Sequence, residues 1–265
     1  MCITRFLSLP ILVTAAAGVC VGAAASHADV ISVKYTQVGG FFGPPAPGDE
    51  PLMPDNLPGF QNYFVGQTVL AHGIVLPERR AFFAFDLSDV VIPIGHEVVG
   101  VSMSTELVFG GVSANFSGGH EVVGFTSTPV PFGVIVDPAG AGVDPLDIFM
   151  EFGVGEMFGM VEFLEDGPPP GEIEVDFSPP GMAMVAGMIG SPEAFVVTSR
   201  LLTFDPAPGE IVSEFAYGFT DLVKFGDETD FPPVYLKIMT APVPAPAAPV
   251  VLGAALLFGG GRRRR

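Results

Sequence analysis

The sequence predicts an all-β body, an antiparallel sandwich or barrel, with an apolar helix at each end of the chain. Three observations carry that reading. Hydrophobic residues make up 49% of the 265, enough to bury one substantial core and to exclude wholesale disorder. The 24 Phe and many Val favour packed strands, and the 34 Gly and 27 Pro fall mostly between apolar segments, as turns. Those segments recur with the short, regular spacing that marks sandwiches and barrels.

Taken in order, residues 1–28 read as a secretory signal. Arg5 precedes an apolar stretch from Phe6 to about Val21, and the small residues Ser26 and Ala28 set a cleavage site between Ala28 and Asp29. An uncleaved anchor is the alternative; a lipoprotein site at Cys20 is disfavoured because Val19 stands where a small residue is needed. "VISVKYTQV" (30–38) alternates apolar and polar residues as a half-buried strand does, and the Pro/Gly-rich stretch 39–59 is expected to be a long loop. Strands are expected at 62–71 and 79–90, the second stopping at Asp86-Leu-Ser-Asp89. From Glu97 onward come apolar segments such as "EVVGVSMSTELVF", "HEVVGFTSTPV", "FGVIV", "MEFGVGEMFGMVEFL" and "IEVDF". "GMAMVAGMIG" (181–190) is the one helix expected inside the body, and "AFVVTSRLLTFD", "EIVSEFAYGF" and "VYLKIMT" supply the last strands. The expected division is therefore 1–28 signal, 29–240 body and 241–265 C-terminal segment.

Charge is segregated along this plan. Between residues 29 and 240 stand all 29 acidic residues and only six basic ones, a net charge of −23, while Arg262 to Arg265 close the chain. Such a body repels nucleic acid and anionic surfaces, so no nucleic-acid partner is expected. Both cysteines, Cys2 and Cys20, lie in the signal. The mature body then has neither thiol nor disulfide, and cysteine-based zinc and iron–sulfur sites are excluded.

His-Glu-Val-Val-Gly occurs twice, at 96–100 and 120–124, but a zinc-protease helix needs a second His four places on and Gly stands there in both copies. Strand entry is the expectation, with no metal site. Acidic residues cluster at Asp86/Asp89, Glu165/Asp166 and Asp227/Glu228/Asp230. None matches the twelve-residue calcium loop, so solvated turns and no cofactor are expected, with calcium as the alternative. A Gly-x-Ser-x-Gly nucleophile setting and a phosphate-cradling Gly loop are both missing. The chain has no Trp, which leaves Tyr35, Tyr63, Tyr217, Tyr235 and Phe as the aromatics for stacking on a sugar. No catalytic residue is assigned.

The C-terminal segment carries the strongest signal. Pro246 to Gly261 would span roughly 24 Å as a helix at 1.5 Å per residue, against a hydrocarbon layer of about 30 Å. Arginines cross a bilayer poorly, so Arg262, Arg263, Arg264 and Arg265 would stall on the cytoplasmic side and stop transfer. The order of Val243-Pro244-Ala245-Pro246, an apolar helix from Val250 to Phe258 and a terminal arginine cluster resembles the PEP-CTERM sorting signal of exported bacterial proteins, with Ala245 where that family's motif has Glu. The resemblance implies recognition by an exosortase-type processing enzyme; an ordinary tail anchor is the alternative.

The body also resembles the β-rich domains of PEP-CTERM proteins and jelly-roll surface domains of the DNRLRE type. The matching residues are Asn62-Tyr-Phe-Val-Gly66, Glu78-Arg-Arg-Ala-Phe-Phe-Ala-Phe-Asp-Leu-Ser88 and the following "VVGVSMSTEL". These resemblances imply a jelly-roll-like antiparallel β-sandwich on the cell exterior, with Arg80 and Asp86 as structural residues capping strand ends. The resulting expectation is a non-enzymatic exported protein, held in the cell-envelope membrane and then placed at the surface or in the extracellular matrix. A carbohydrate-binding module for matrix polysaccharide is the alternative, and a secreted hydrolase lacks any motif.

Overall fold

A computed structural model of the protein describes residues 28–45, 65–67, 75–106, 120–164, 172–205, 215–216 and 234–243. The expected signal up to residue 27, most of the 39–59 loop, the acidic clusters at 165–166 and 227–230, and the sorting segment from Pro244 lie outside the described residues.

The described elements are β1 (Asp29–Phe42), β2 (Val65–Gly66), β3 (Arg79–Phe85), β4 (His96–Glu106), β5 (His120–Thr126), α1 (Phe132–Val136), α2 (Pro138–Ala141), α3 (Pro145–Glu151), β6 (Met157–Leu164), β7 (Glu172–Asp176), α4 (Pro179–Met188), β8 (Phe195–Leu201), β9 (Phe215–Ala216) and β10 (Tyr235–Pro242). Every strand pairing is antiparallel, and the strands follow one path, β6-β5-β8-β3-β1-β10-β4-β7, with β2 on β3 and β9 on β2. The path bends back on itself until its ends meet. The N–H of Ser178, just past β7, donates to Phe158 of β6, and the Ser178 hydroxyl donates to the Met157 carbonyl at 2.9 Å. The result is a nearly closed, barrel-like sheet.

The bend is made in β1. Residues 29–34 pair with β10 and residues 35–42 with β3, and the register slips between Tyr35 and Gln37. An extra residue at such a bulge lets one strand serve two sheet directions. Thr36 occupies it, its hydroxyl donating to the Ala84 carbonyl at 3.1 Å. The strand therefore runs four residues beyond the expected 30–38, into the glycines first read as loop.

Packing follows the two faces of β3. Ala81, Phe83 and Phe85 face the interior, among Val101 and Met103 of β4, Leu236 and Ile238 of β10, and Phe125 of β5. Phe82 and Ala84 face outward, yet they too are fully buried, beneath Phe149 and Phe152 of the helical layer α1–α3. All seven residues of β3 are thus removed from water, which accounts for its unbroken apolar run after Arg79-Arg80.

The helical layer corrects the expectation of a single internal helix. "FGVIV" has strand composition but forms α1, and 138–151 adds two further helices. Side-chain caps start α2 and α3, though not α1. Asp137 and Asp144 each precede a proline at the first helical position, and their carboxylates accept the N–H groups of Gly140 and Leu146, each at 2.9 Å. The expected helix at 181–190 is α4, starting two residues earlier because Ser178 caps it. It packs on β4 and β6, with Val185 in the core and Met182 and Met188 against it.

Candidate functional site

Three expected site residues, Ala28, Asp29 and Val243, fall on the described structure, and strand pairing brings them to the same end of the molecule. Asp29 opens β1 opposite Thr240 of β10, and Pro242 closes β10 opposite His96 of β4. Val243 then donates its N–H to the Gly95 carbonyl at 2.7 Å. The expected cleavage point, Ala28–Asp29, and the first residue of the expected sorting motif, Val243, are therefore neighbours on one pole, and all three residues are exposed. His96 lies between the two exits with its Nδ1 3.9 Å from the Asp29 carboxylate, too far for a hydrogen bond.

The same pole carries an apolar loop that sequence reading passed over. After Asp89, the run Val90-Val-Ile-Pro-Ile94 leads into β4. Val90 and Ile92 turn inward against the core, whereas Val91 is 77% exposed and Ile94 wholly so. Ile94 is held in place by a tight turn. His96 donates to the Pro93 carbonyl at 2.9 Å, and Gly95 adopts φ 79°, the positive angle that favours glycine at the third turn position. The available signal was an apolar run bounded by turn residues on both sides, in a place where a solvated loop should be polar.

The other candidates resolve into structural roles. The two His-Glu pairs each open a strand, β4 and β5, and the antiparallel path runs these two strands in opposite directions, so the pairs start from opposite ends of the sheet. They do not converge, and among the described residues no three His, Cys, Asp or Glu side chains gather as a metal site. Asp86 accepts the Ser88 N–H at 2.9 Å, a local turn just past the end of β3. The Ser88 hydroxyl and N–H hold its carboxyl below the usual aspartate range. Arg80 is structural in a different way from that expected. Buried within β3, it donates through Nη1 to the carbonyls of Phe149 at 3.2 Å and Phe152 at 2.8 Å, so it caps the end of α3 rather than a strand. Its Nε meets Glu78 at 2.9 Å, and the guanidinium stacks 4.2 Å from the Phe149 ring centre. Arg79 beside it is fully buried against Gly40, where a Cβ would come within 2.6 Å of the guanidinium carbon.

One groove of about 480 Å³ opens between α1, α4 and the start of β8. Ser127, Thr128, Phe132, Met188 and Glu193 line it, giving one half-exposed aromatic ring, two hydroxyls and a carboxylate. In comparison with known proteins, no family model and no curated protein matches the chain.

Proposed function

We propose that the protein is an exported, non-enzymatic surface or matrix protein, whose β-sandwich body is delivered by residues 1–28 and sorted by a PEP-CTERM-like segment at 241–265. The observation that carries the reading is the shared pole. Ends that leave the body on one side put both expected processing points, Ala28–Asp29 and Val243-Pro244-Ala245-Pro246, within reach of a single membrane face. Here Asp29 and Pro242 leave in this way, on strands paired to each other. The finer fold is read as a jelly roll, because the first long strand pairs with the last, the second with the seventh, the third with the sixth and the fourth with the fifth, as β1:β10, β3:β8, β4:β7 and β5:β6.

In this reading Pro246 to Gly261 enters the bilayer, Arg262 to Arg265 stay on the cytoplasmic side, and an exosortase-type enzyme processes the chain near Val243-Pro244-Ala245-Pro246. A pulse-chase of the full chain with separate tags on the body and beyond Arg265 tests it. The expected course is a membrane-bound precursor that loses the tail tag, followed by body tag at the cell surface or in the matrix. A tail tag retained at steady state, with no body released, overturns exosortase-type sorting in favour of a permanent tail anchor.

A second reading, a module that binds extracellular polysaccharide, draws on the groove beside Phe132, since jelly rolls include lectin domains and the volume suits a small ligand. A glycan array run with and without calcium decides it. Binding that falls in Phe132→Ala supports this reading, and silence under both conditions removes it.

A further inference from the structure

We infer that the β3–β4 loop is a second membrane contact, its Val91 and Ile94 side chains entering the interfacial layer of the bilayer that holds the C-terminal segment. The inference rests on the anchor reading above and goes beyond it, since that reading gives the folded body no contact with lipid. Three observations on the described residues lead there. Ile94, a large aliphatic residue with no surface covered, stands at the corner of a turn fixed by the His96-to-Pro93 bond and the positive φ of Gly95. Its neighbours Val90 and Ile92 anchor the loop in the core, so the exposed pair is held out on a stiff base. Finally, Gly95 is the hydrogen-bond partner of Val243, the last described residue before the expected membrane segment, and Val243 is itself half exposed.

The chain fixes the distance as well. Only Pro244 and Ala245 separate Val243 from the start of the apolar run at Pro246, a reach of about 10 Å at full extension. A body tethered that closely cannot keep this pole far from the headgroups. Asp29, Asp86, Asp89 and Glu97 surround the loop and would be repelled by anionic lipid, so the surface it fits is a zwitterionic one.

The absence of tryptophan supplies the test. Ile94→Trp introduces the sole indole, and Met150→Trp, on the exposed side of α3, serves as the control position. Both full-length variants are reconstituted into phosphatidylcholine vesicles with and without brominated acyl chains. Flotation is measured alongside fluorescence, and again after Leu252→Arg and Leu256→Arg interrupt the apolar run. Supporting results are a blue shift and bromine quenching at position 94, none at 150, and loss of both signals with the interruption. Vesicle-bound protein with an unquenched, solvent-like indole at 94 overturns the loop contact while leaving the anchor standing. Equal quenching at both positions overturns it as well, since the contact would then not belong to this loop. Flotation unchanged by the interruption overturns the anchor reading and the inference resting on it.

Discussion

Arg80 fastens the helical layer to the sheet, and removing its head group should loosen that layer measurably. Arg80→Met keeps the aliphatic stem and deletes the guanidinium. The Phe149 carbonyl retains its bond from the Phe152 N–H at 3.1 Å, so the larger loss is the 2.8 Å bond to the Phe152 carbonyl, at the buried end of α3. A charged hydrogen bond of this kind contributes about 1.5–3 kcal/mol net, and the stacking on Phe149 at 4.2 Å about 1 more. Glu78, partly exposed, rehydrates, and the desolvation of the arginine is relieved, which trims the sum to about 3 kcal/mol. For a body of this size that corresponds to a fall in melting temperature of roughly 6–12 °C. Circular-dichroism melts and urea titrations of wild type, Arg80→Met and Arg80→Lys measure it, with lysine expected between the other two because it keeps a charge without the fork. A methionine variant melting within about 2 °C of wild type would refute the reasoning, since it would mean that neither the carbonyl nor the ring depends on the guanidinium.

Both faces of β3 should be equally sensitive: Phe82→Ala and Phe83→Ala are each expected to cost about 3–5 kcal/mol in urea unfolding, and a neutral result at Phe82 would mean that the helical layer is not packed. Gly159 lies where β6 approaches β7, and a Cβ there would stand 2.7 Å from the Asp176 carbonyl oxygen. Gly159→Ala should therefore destabilise by about 1–3 kcal/mol, whereas Gly133→Ala, in α1 with open space around it, should stabilise by about 0.5–1 kcal/mol; equal effects in thermal melts would contradict the close approach of the two sheet edges. The Asp86 carboxyl titrates below its usual range because Ser88 donates to its ionised form, so the associated stabilisation is present above the unfolded-state value and is lost as pH falls through the folded one. Ser88→Ala should raise the Asp86 midpoint in an NMR pH titration, and an unchanged midpoint would assign the shift elsewhere.

Legibility tracked the range of the forces involved. The strands at 30–38, 79–90 and 97 onward could be read because their period and composition are local, and so could α4, which Ser178 and the two prolines announce. The helices at 138–151 were missed because Asp-Pro pairs signal turns as well as helix caps, and α1 because "FGVIV" has strand composition and no side-chain cap. The pairing of β1 with two different partners could not be read, since it depends on where the bulge at Thr36 falls against strands 50 and 200 residues away. At the terminal pole, sequence alone gave the residues Asp29 and Val243; their proximity is a product of topology. Ile94 lay between these cases, visible as an apolar residue in a turn but without meaning apart from its exposure and its link to Val243 through Gly95.

The place of β10 has a consequence for how the protein is made. It is the last strand described, and it lies inside the sheet, between β1 and β4, so that Leu236 and Ile238 complete a core already lined by every earlier long strand. A ribosome that stops anywhere before residue 235 releases a chain with a gap through the middle of its sheet and two unpaired strands facing it. Completion must also wait for the pairing most distant in sequence, the slowest kind to form. By the time β10 closes that gap, the apolar run beginning at Pro246 is three residues behind Val243. Completing the fold and completing the apolar run then depend on the same end of the chain, and prematurely terminated copies lack both.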